Sequence, residues 1–243
     1  MAFSKKTRQE AITKVQNEEM DLLIIGGGIT GAGLTLQAAA TGMKVAVLEM
    51  QDFSEGTSSR STKLVHGGIR YLKNFDVEVV SDTVSERAVV QSIAPHIPKP
   101  DPMLLPIYND EGKTTFDMFS VKIAMDLYDR LAGIDEGSPY ANYTISPEEV
   151  LRREPLIKKK GLQGAGVYLD YRNNDSRLVI DNIKKAVEDG AKAISKMKVI
   201  DFIYTDGQIS GVRARDLLTD EVIEVKSKLV INTSGPWVDK IRY

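Results

Sequence analysis

Cysteine is absent from this 243-residue chain, and histidine occurs only twice, as His66 and His96. Without cysteine there is no disulfide, no catalytic thiolate and no cysteine-based metal site. Two histidines do not suit a histidine-rich metal site either, so we predict no bound metal. The 32 lysines and arginines nearly balance the 34 aspartates and glutamates. A formal net charge of −2 gives no electrostatic basis for binding nucleic acid.

Long hydrophobic runs are also missing, since no stretch approaches the roughly 18 apolar residues of a membrane helix. Residues 1–20 are highly charged and lack the apolar segment of a signal peptide, so we expect a cytoplasmic location. Ala11, Ile12 and Val15 predict the apolar face of a short amphipathic helix packed on the body of the protein. Acidic and basic residues are mixed along this helix, so peripheral contact with a membrane has no support from its charge.

Glycine is concentrated near the start of the chain. Gly26, Gly28 and Gly31 form a G-x-G-x-x-G pattern between a predicted strand, residues 22–25, and a predicted helix, residues 30–41. In that context the pattern indicates a dinucleotide site. The first glycine permits a tight turn, the second lets a pyrophosphate approach, and the third allows close packing of helix and strand. The alternative is a glycine-rich turn that binds nothing.

A second predicted strand, residues 44–48, ends at Glu49. A carboxylate at this point accepts hydrogen bonds from a ribose 2′-hydroxyl and repels a 2′-phosphate, which disfavours NADP. FAD and NAD use the same glycine turn, so the fingerprint does not separate them. The following loop is rich in side chains that could donate to a long anionic cofactor such as FAD: Thr57, Ser58, Ser59, Arg60, Ser61, Thr62 and Lys63. A solvated, turn-forming loop would have the same composition.

Residues 56–72, GTSSRSTKLVHGGIRYL, resemble the signature of FAD-dependent glycerol-3-phosphate dehydrogenases and oxidases, and most closely that of the oxidases of Gram-positive bacteria. The resemblance continues at residues 85–87, 94–96, 166–170, 174–178 and 230–239. It implies FAD as cofactor and oxidation of sn-glycerol 3-phosphate to dihydroxyacetone phosphate. A hydride would pass to flavin N5, and the electrons to O2, giving hydrogen peroxide, or to a quinone.

The resemblance also implies which residues contact FAD. Gly26, Gly28, Gly31 and Glu49 match the site of its ADP half. Residues matching pyrophosphate and ribityl contacts are Thr57, Ser58, Ser59, Thr62 and Lys63. Met197 falls near the backbone that contacts adenine. Ser234 and Gly235 belong to a second flavin-contacting turn, in which Ser234 replaces a common threonine and keeps a hydroxyl.

Catalysis is assigned to His66, Arg70 and Tyr71, next to Gly67 and Gly68. The near-neutral pKa of an imidazole suits a base or a hydrogen-bond donor to the substrate oxygen. A structural histidine before two glycines is the alternative, and the identity of the base stays open. His66, Gly67 and Gly68 are also assigned to the cofactor site, where the two glycines would let the backbone approach the flavin ring. The planar guanidinium of Arg70 suits the substrate phosphate, although a surface ion pair would use it equally well.

The predicted fold class is α/β: an FAD-binding Rossmann-like domain with a parallel sheet and an antiparallel meander, plus part of a mixed-sheet substrate domain. Residues 1–98 and 172–243 are assigned to the FAD-binding domain, and residues 99–171 to the partial substrate domain. Further helices are predicted over residues 77–93, 116–131, 147–153 and 175–189. Further strands are predicted over residues 191–204, 207–215, 222–225 and 229–231, with an edge strand at 98–108 and a turn at 110–113. Residues expected to face the core from the 116–131 helix are Phe119, Ile123, Met125, Leu127 and Leu131.

The family's proteins run on for roughly as long again, so we expect this chain to be an N-terminal portion without the rest of the substrate sheet. Two alternatives stay open beside a glycerol-3-phosphate enzyme. One is another flavin oxidase of this architecture acting on an amino or hydroxy acid, against which residues 66–71 argue. The other is a non-catalytic FAD-binding fragment.

Overall fold

The computed structural model describes residues 3–109 and 117–242, so the turn predicted at 110–113 lies outside the described residues. In chain order the helices are α1 (Lys5–Asn17), α2 (Ile29–Ala40), α3 (Val77–Ile93), α4 (Met118–Leu131), α5 (Pro147–Arg153), α6 (Asp175–Glu188) and α7 (Asp239–Arg242). The strands are β1 (Met20–Ile25), β2 (Val45–Leu48), β3 (Leu64–Val65), β4 (Lys99–Tyr108), β5 (Tyr143–Ile145), β6 (Leu162–Arg172), β7 (Lys192–Ile194), β8 (Met197–Thr205), β9 (Gln208–Asp216) and β10 (Val222–Asn232).

The chain divides into two compact units, the first formed by Met1–Thr62 with Asp175–Tyr243 and the second by Lys63–Asn174. The sequence places its domain boundaries elsewhere, at 98/99 and 171/172. Helix α3 belongs to the second unit because its buried Val80 and Val84 cluster with Tyr128 of α4. The assignment of an FAD-binding and a substrate domain stays a prediction.

A six-stranded sheet in the order β7-β2-β1-β10-β9-β8 organises the first unit. The strands β7, β2, β1 and β10 pair in parallel, and β10, β9 and β8 form an antiparallel meander. Alternate residues of β1 face opposite sides, as the two-residue period of a strand requires. Leu23 and Ile25 pack toward Ile12 and Val15 of α1, which confirms the predicted apolar face of that helix. The opposite face of the sheet packs with residues of α2 and α6.

Two predicted strand boundaries in this sheet are wrong. Residues 191–204 form two strands, because Lys196 adopts a positive φ of 56° between β7 and β8. Residues 222–225 and 229–231 form one strand, β10, because inward and outward positions keep alternating through buried Ser227. The first half of β10 pairs antiparallel with β9 and the second half parallel with β1.

An antiparallel sheet built on β6 organises the second unit. Strand β4 pairs along one side of β6, and β3 and β5 pair with it along the other. Within the described residues β4 is an edge strand, as predicted, and an edge tolerates prolines that cannot donate to a neighbour. The prediction for α4 is right at Met125, which is buried, and at Leu127 and Leu131, which pack against buried residues. It is wrong at Phe119 and Ile123, which are exposed by 73% and 53%. The buried face is Val121, Met125 and Tyr128, at the spacing of one helix side.

Candidate functional site

Residues 26–28, here called the glycine turn, join β1 to α2 in the first unit. Gly26 has a φ of 104°, which only glycine adopts readily, and a Cβ there would lie 2.8 Å from the Thr233 carbonyl oxygen. Gly31, one turn into α2, has no room for a side chain, because its Cβ would lie 1.9 Å from the Gly26 carbonyl oxygen. The first and third glycines therefore have the predicted turn and packing roles.

The start of α2 presents a backbone N–H group to a hydroxyl. Ile29 N–H donates to Ser58 Oγ at 2.9 Å, so this oxygen takes the place that a phosphate oxygen would take at a helix N-terminus. Among the described residues, a Cβ on Gly28 would meet only that same Ser58 Oγ, at 3.1 Å. The structure thus brings Ser58 of the predicted hydroxyl-rich loop to the glycine turn, and a helix N-terminus with a hydroxyl beside it fits a pyrophosphate.

Glu49 follows β2 and lies beside the glycine turn. Its Oε2 accepts from Gly27 N–H at 2.7 Å and its Oε1 from Gln51 N–H at 2.6 Å. Each carboxylate oxygen keeps a further lone pair that can accept from a ribose hydroxyl. The backbone of Met197 is adjacent, because its N–H donates to the Glu49 carbonyl at 2.8 Å, while its side chain is buried in the core.

The other predicted residues of the hydroxyl-rich loop differ from one another in exposure and in their contacts. Thr57 and Thr62 are exposed. The Ser59 hydroxyl lies within hydrogen-bonding distance of the Glu55 and Gly56 carbonyls, 3.3 Å each, so it closes its own short 3₁₀ helix. Lys63 begins the second unit, with a positive φ of 61°.

The turn after β10 meets the glycine turn directly. The Thr233 hydroxyl lies 2.9 Å from the Ile25 carbonyl oxygen and 3.0 Å from that of Gly26. Ser234 Oγ donates to Asn232 Oδ1 at 2.7 Å, and Gly235 is exposed with a φ of 59°. Thr233 directly precedes Ser234 and Gly235 in the turn that the resemblance implies to contact the flavin, and its hydroxyl holds that turn against the glycine turn.

In the second unit, His66 follows β3 and stands exposed before the buried Gly67 and Gly68. A 3₁₀ helix, Ile69–Asn74, then carries Arg70 and Tyr71, which are also exposed. The side chains that lie close to Gly67 and Gly68 belong to this second unit. A Cβ on Gly67 would lie 2.2 Å from the Tyr128 hydroxyl, and one on Gly68 would lie 2.7 Å from the Tyr71 ring. Their predicted approach to a flavin ring stays a prediction.

Beneath this segment lies a buried charged cluster that the sequence did not indicate. Arg87 Nη1 donates to Asp170 Oδ1 at 2.9 Å and to the Tyr128 hydroxyl at 2.7 Å. Its guanidinium stacks 4.5 Å from the centre of the Tyr171 ring. Gly67 N–H donates to the same Asp170 oxygen at 3.0 Å. Burial raises the pKa of Tyr128 above its ordinary value, so its hydroxyl stays protonated.

The described parts of the chain contain no cluster of three or more histidine, aspartate or glutamate side chains that could hold a metal ion. No helix there combines the length and apolarity needed to cross a membrane.

Comparisons with known proteins agree with this geometry. The sequence model of the FAD dependent oxidoreductase (DAO) family matches residues 21–243. An alpha-glycerophosphate oxidase of Lactococcus lactis subsp. lactis is 95% identical over all 243 residues, which cover 40% of its length. One of Streptococcus pyogenes serotype M6 is 67% identical over the same residues, covering 39%. The chain therefore spans about 40% of the length of these curated relatives.

A solved structure gives the same result for the fold. The glycerol-3-phosphate dehydrogenase of Bacillus halodurans complexed with FAD matches with a TM-score of 0.75 and 39% identity, over 100% of this chain and 39% of that one. The resemblance inferred from residues 56–72, the α/β fold class and FAD as the cofactor are thereby confirmed. The chain belongs to the family of FAD dependent oxidoreductases.

Proposed function

We propose that this chain is part of an enzyme that oxidises sn-glycerol 3-phosphate to dihydroxyacetone phosphate. The observation that carries the proposal is the 95% identity, over all 243 residues, to a protein named alpha-glycerophosphate oxidase. The glycine turn, with Glu49 and Ser58 beside it, supports the FAD-dependent part of the proposal.

We assign cofactor binding to the turns of the first unit and to the loop that follows them. Gly26, Gly28 and Gly31 leave room for the pyrophosphate, and Glu49 accepts from the ribose. The remaining proposed contacts are Thr57, Ser58, Ser59, Thr62, Lys63, His66, Gly67, Gly68, Met197, Ser234 and Gly235. When bound, FAD supplies the two-electron acceptor that this oxidation needs.

We assign catalysis to the exposed residues around Gly67 and Gly68. His66 takes the proton of the C2 hydroxyl while the C2 hydrogen leaves as a hydride. Arg70 binds the substrate phosphate through its planar guanidinium, which matches the geometry of phosphate oxygens. Tyr71 donates a hydrogen bond next to it. The exposure of all three side chains supports this assignment, because a substrate can reach them.

The electron acceptor is proposed to be O2, which gives hydrogen peroxide as in an oxidase. A quinone-linked dehydrogenase is the second candidate, favoured by the 39% identity to the Bacillus halodurans dehydrogenase. A cytoplasmic location and the functional division into residues 1–98 with 172–243 and residues 99–171 are proposed with it.

The test is an absorption spectrum under anaerobic conditions. In a full-length chimera, this chain replaces the 95% identical segment of the Lactococcus lactis oxidase. Glycerol 3-phosphate should bleach its flavin bands, and glycerol should not, because it lacks the phosphate for Arg70. Bleaching by glycine or another amino acid instead would overturn the proposal. Reoxidation by O2 with equimolar hydrogen peroxide would separate the oxidase from the dehydrogenase.

A further inference from the structure

The buried charged cluster of the second unit surrounds one peptide segment, and the proposed chemistry does not use it. The cluster, here called the anchor cluster, consists of Thr83, Arg87, Tyr128 and Asp170. We infer that Asp170, Arg87 and Thr83 are positioning residues that fix the Gly67 backbone and thereby set the direction of His66. This inference rests on the proposed function, in which His66 takes the substrate proton.

Both polar backbone groups of Gly67 meet side chains of the anchor cluster. Its N–H donates to Asp170 Oδ1 at 3.0 Å, and its carbonyl oxygen lies 2.9 Å from the Thr83 hydroxyl. The single proton of that hydroxyl is shared between this oxygen and the Val79 and Val80 carbonyl oxygens of α3, at 2.7 and 3.1 Å. A peptide unit is planar, so the first bond fixes the plane that contains the Cα of His66. The second bond fixes the next plane, toward Gly68. These two planes meet at the Cα of Gly67 and restrict its backbone, and the first of them is also one of the two peptide planes that flank the Cα of His66.

Three separate elements converge on this one residue. Thr83 and Arg87 are four residues apart on α3 and share one helix face. Asp170 lies on β6 and Tyr128 on α4. The Tyr128 hydroxyl and the Val84 side chain also fill the space where a Gly67 Cβ would be, 2.2 and 2.5 Å away. The segment therefore rests directly on the anchor cluster without a side chain between them.

Stability alone does not account for the charges. The Asp170 and Arg87 side chains are both only 3% exposed, and removing two such charges from water costs as much as their attraction returns. An apolar pair of similar volume would hold α3 against β6 about as well. A carboxylate, unlike an apolar group, can accept Gly67 N–H, and Arg87 in turn holds that carboxylate in place. The charges of Asp170 and Arg87 are therefore explained by the hydrogen bond from Gly67 N–H, which holds the backbone next to His66.

The first test replaces Thr83 in the full-length chimera with bound FAD. Thr83→Val removes the hydroxyl and keeps the shape, so we expect anaerobic bleaching by glycerol 3-phosphate to slow about 10-fold or more, since misplacement by about 1 Å can cost 100-fold. Thr83→Ser restores the hydroxyl and should restore most of the rate. Ser92→Ala is the matched control on α3, because the Ser92 hydroxyl bonds to the Val89 carbonyl of its own helix at 2.9 Å.

A second pair of variants separates positioning from folding. Asp170→Asn keeps a side-chain oxygen for Gly67 N–H, whereas Asp170→Ala removes it, so the asparagine variant should bleach faster than the alanine variant. Unfolding midpoints are measured beside the rates, because a purely structural role would make rate follow folded fraction. Wild-type rates in Thr83→Val and Asp170→Ala would overturn the inference. A wild-type chimera that glycerol 3-phosphate does not bleach would overturn the proposed function, and this inference with it.

Discussion

At the residue scale, the tightest constraint is at Gly31, where a single added carbon would lie 1.9 Å from a carbonyl oxygen. Gly31→Ala must push α2 away from the glycine turn. We expect a loss of about 1–3 kcal/mol in the free energy of unfolding, typical of overpacking, together with weaker FAD binding. Chemical denaturation and quenching of flavin fluorescence measure the two effects.

Gly33→Ala is the matched control for that substitution. It lies on the same helix, and among the described residues nothing lies within 4 Å of a Cβ there. Alanine should raise the free energy of unfolding by about 0.5–1 kcal/mol, because glycine costs that much inside a helix. Equal losses of unfolding free energy at both positions would mean that crowding at Gly31 is not the cause of the loss.

A second prediction at this scale concerns Glu49. Its two oxygens hold Gly27 and Gln51 N–H groups and are proposed to accept from the ribose. Glu49→Ala should weaken FAD binding roughly 10- to 100-fold, since hydrogen bonds to a charged group contribute about 1.5–3 kcal/mol. The exposed Glu55, whose nearest Arg60 nitrogen is 3.9 Å away, supplies the control Glu55→Ala. Titration of the flavin absorbance compares the two affinities, and an unchanged affinity in Glu49→Ala would remove its proposed role.

His66→Asn tests the proposed base. The rate of anaerobic bleaching by glycerol 3-phosphate in the full-length chimera should fall about 100- to 10,000-fold, the usual contribution of general base catalysis. FAD affinity should fall far less than the rate, because His66 is only one of many proposed cofactor contacts. His96→Asn is the control on the chain's other histidine, also exposed. A rate loss of only a few fold in His66→Asn would assign the base to another residue.

At the element scale, an ion pair joins α1 to strand β9 of the same unit. Arg8 donates to both oxygens of Asp216 at 2.8 and 2.9 Å, and to the Ser195 carbonyl at 3.0 Å. The hydrogen bond with Arg8 lowers the pKa of Asp216 below its ordinary value of 3.8. A lowered carboxyl pKa contributes stability that is fully present above the unfolded pKa and is lost as the pH falls through the folded one.

Asp216→Asn should therefore lower the free energy of unfolding at pH 7 by about 2 kcal/mol, the scale of hydrogen bonds to a charged group. The difference from wild type should shrink below pH 3.8 and vanish once Asp216 is protonated in the folded chain. Denaturant titrations over pH 2–7 measure it. Glu224→Gln breaks the exposed pair with Arg213 and should cost no more than about 1 kcal/mol. Equal costs in the two variants would contradict a special role for the α1 pair.

Elements with local signals could be predicted from the sequence. The capping serine, first-turn proline and acidic residues at 146–149 predict α5, and Ser146 Oγ does accept from Glu149 N–H. Helix α4 was predicted with two wrong core residues, Phe119 and Ile123, because they fit the apolar spacing as well as Val121 and Tyr128 do. Which face packs inward depends on β6 and α3, and hydrophobicity alone does not contain that information.

At the scale of the whole molecule, the glycine turn could be predicted because its residues are consecutive in the sequence. The anchor cluster could not be, since Thr83, Arg87, Tyr128 and Asp170 are brought together around Gly67 only by folding. The local sequence around Arg87 and Asp170 does not indicate that their charges are buried, yet both are. The contacts that exposed side chains make to FAD and to the substrate remain proposals.

The whole molecule should respond selectively to dinucleotides. FAD at 100 times its dissociation constant should stabilise the folded chain by about 2.7 kcal/mol through mass action. NADP should not, because Glu49 would face its 2′-phosphate. Thermal unfolding with each ligand tests this, and equal shifts would contradict the proposed place of Glu49.

The single strand β10 has a practical consequence for protein engineering. It begins in the meander at Val222, pairs with β9 as far as Lys226, and ends beside β1 at Asn232, just before the turn that touches Gly26. One inserted residue would exchange its inward and outward faces and shift that turn along the sheet. Tags and fluorophores therefore belong at the exposed hairpin tip, residues 217–220, where added length leaves the register of β10 unchanged.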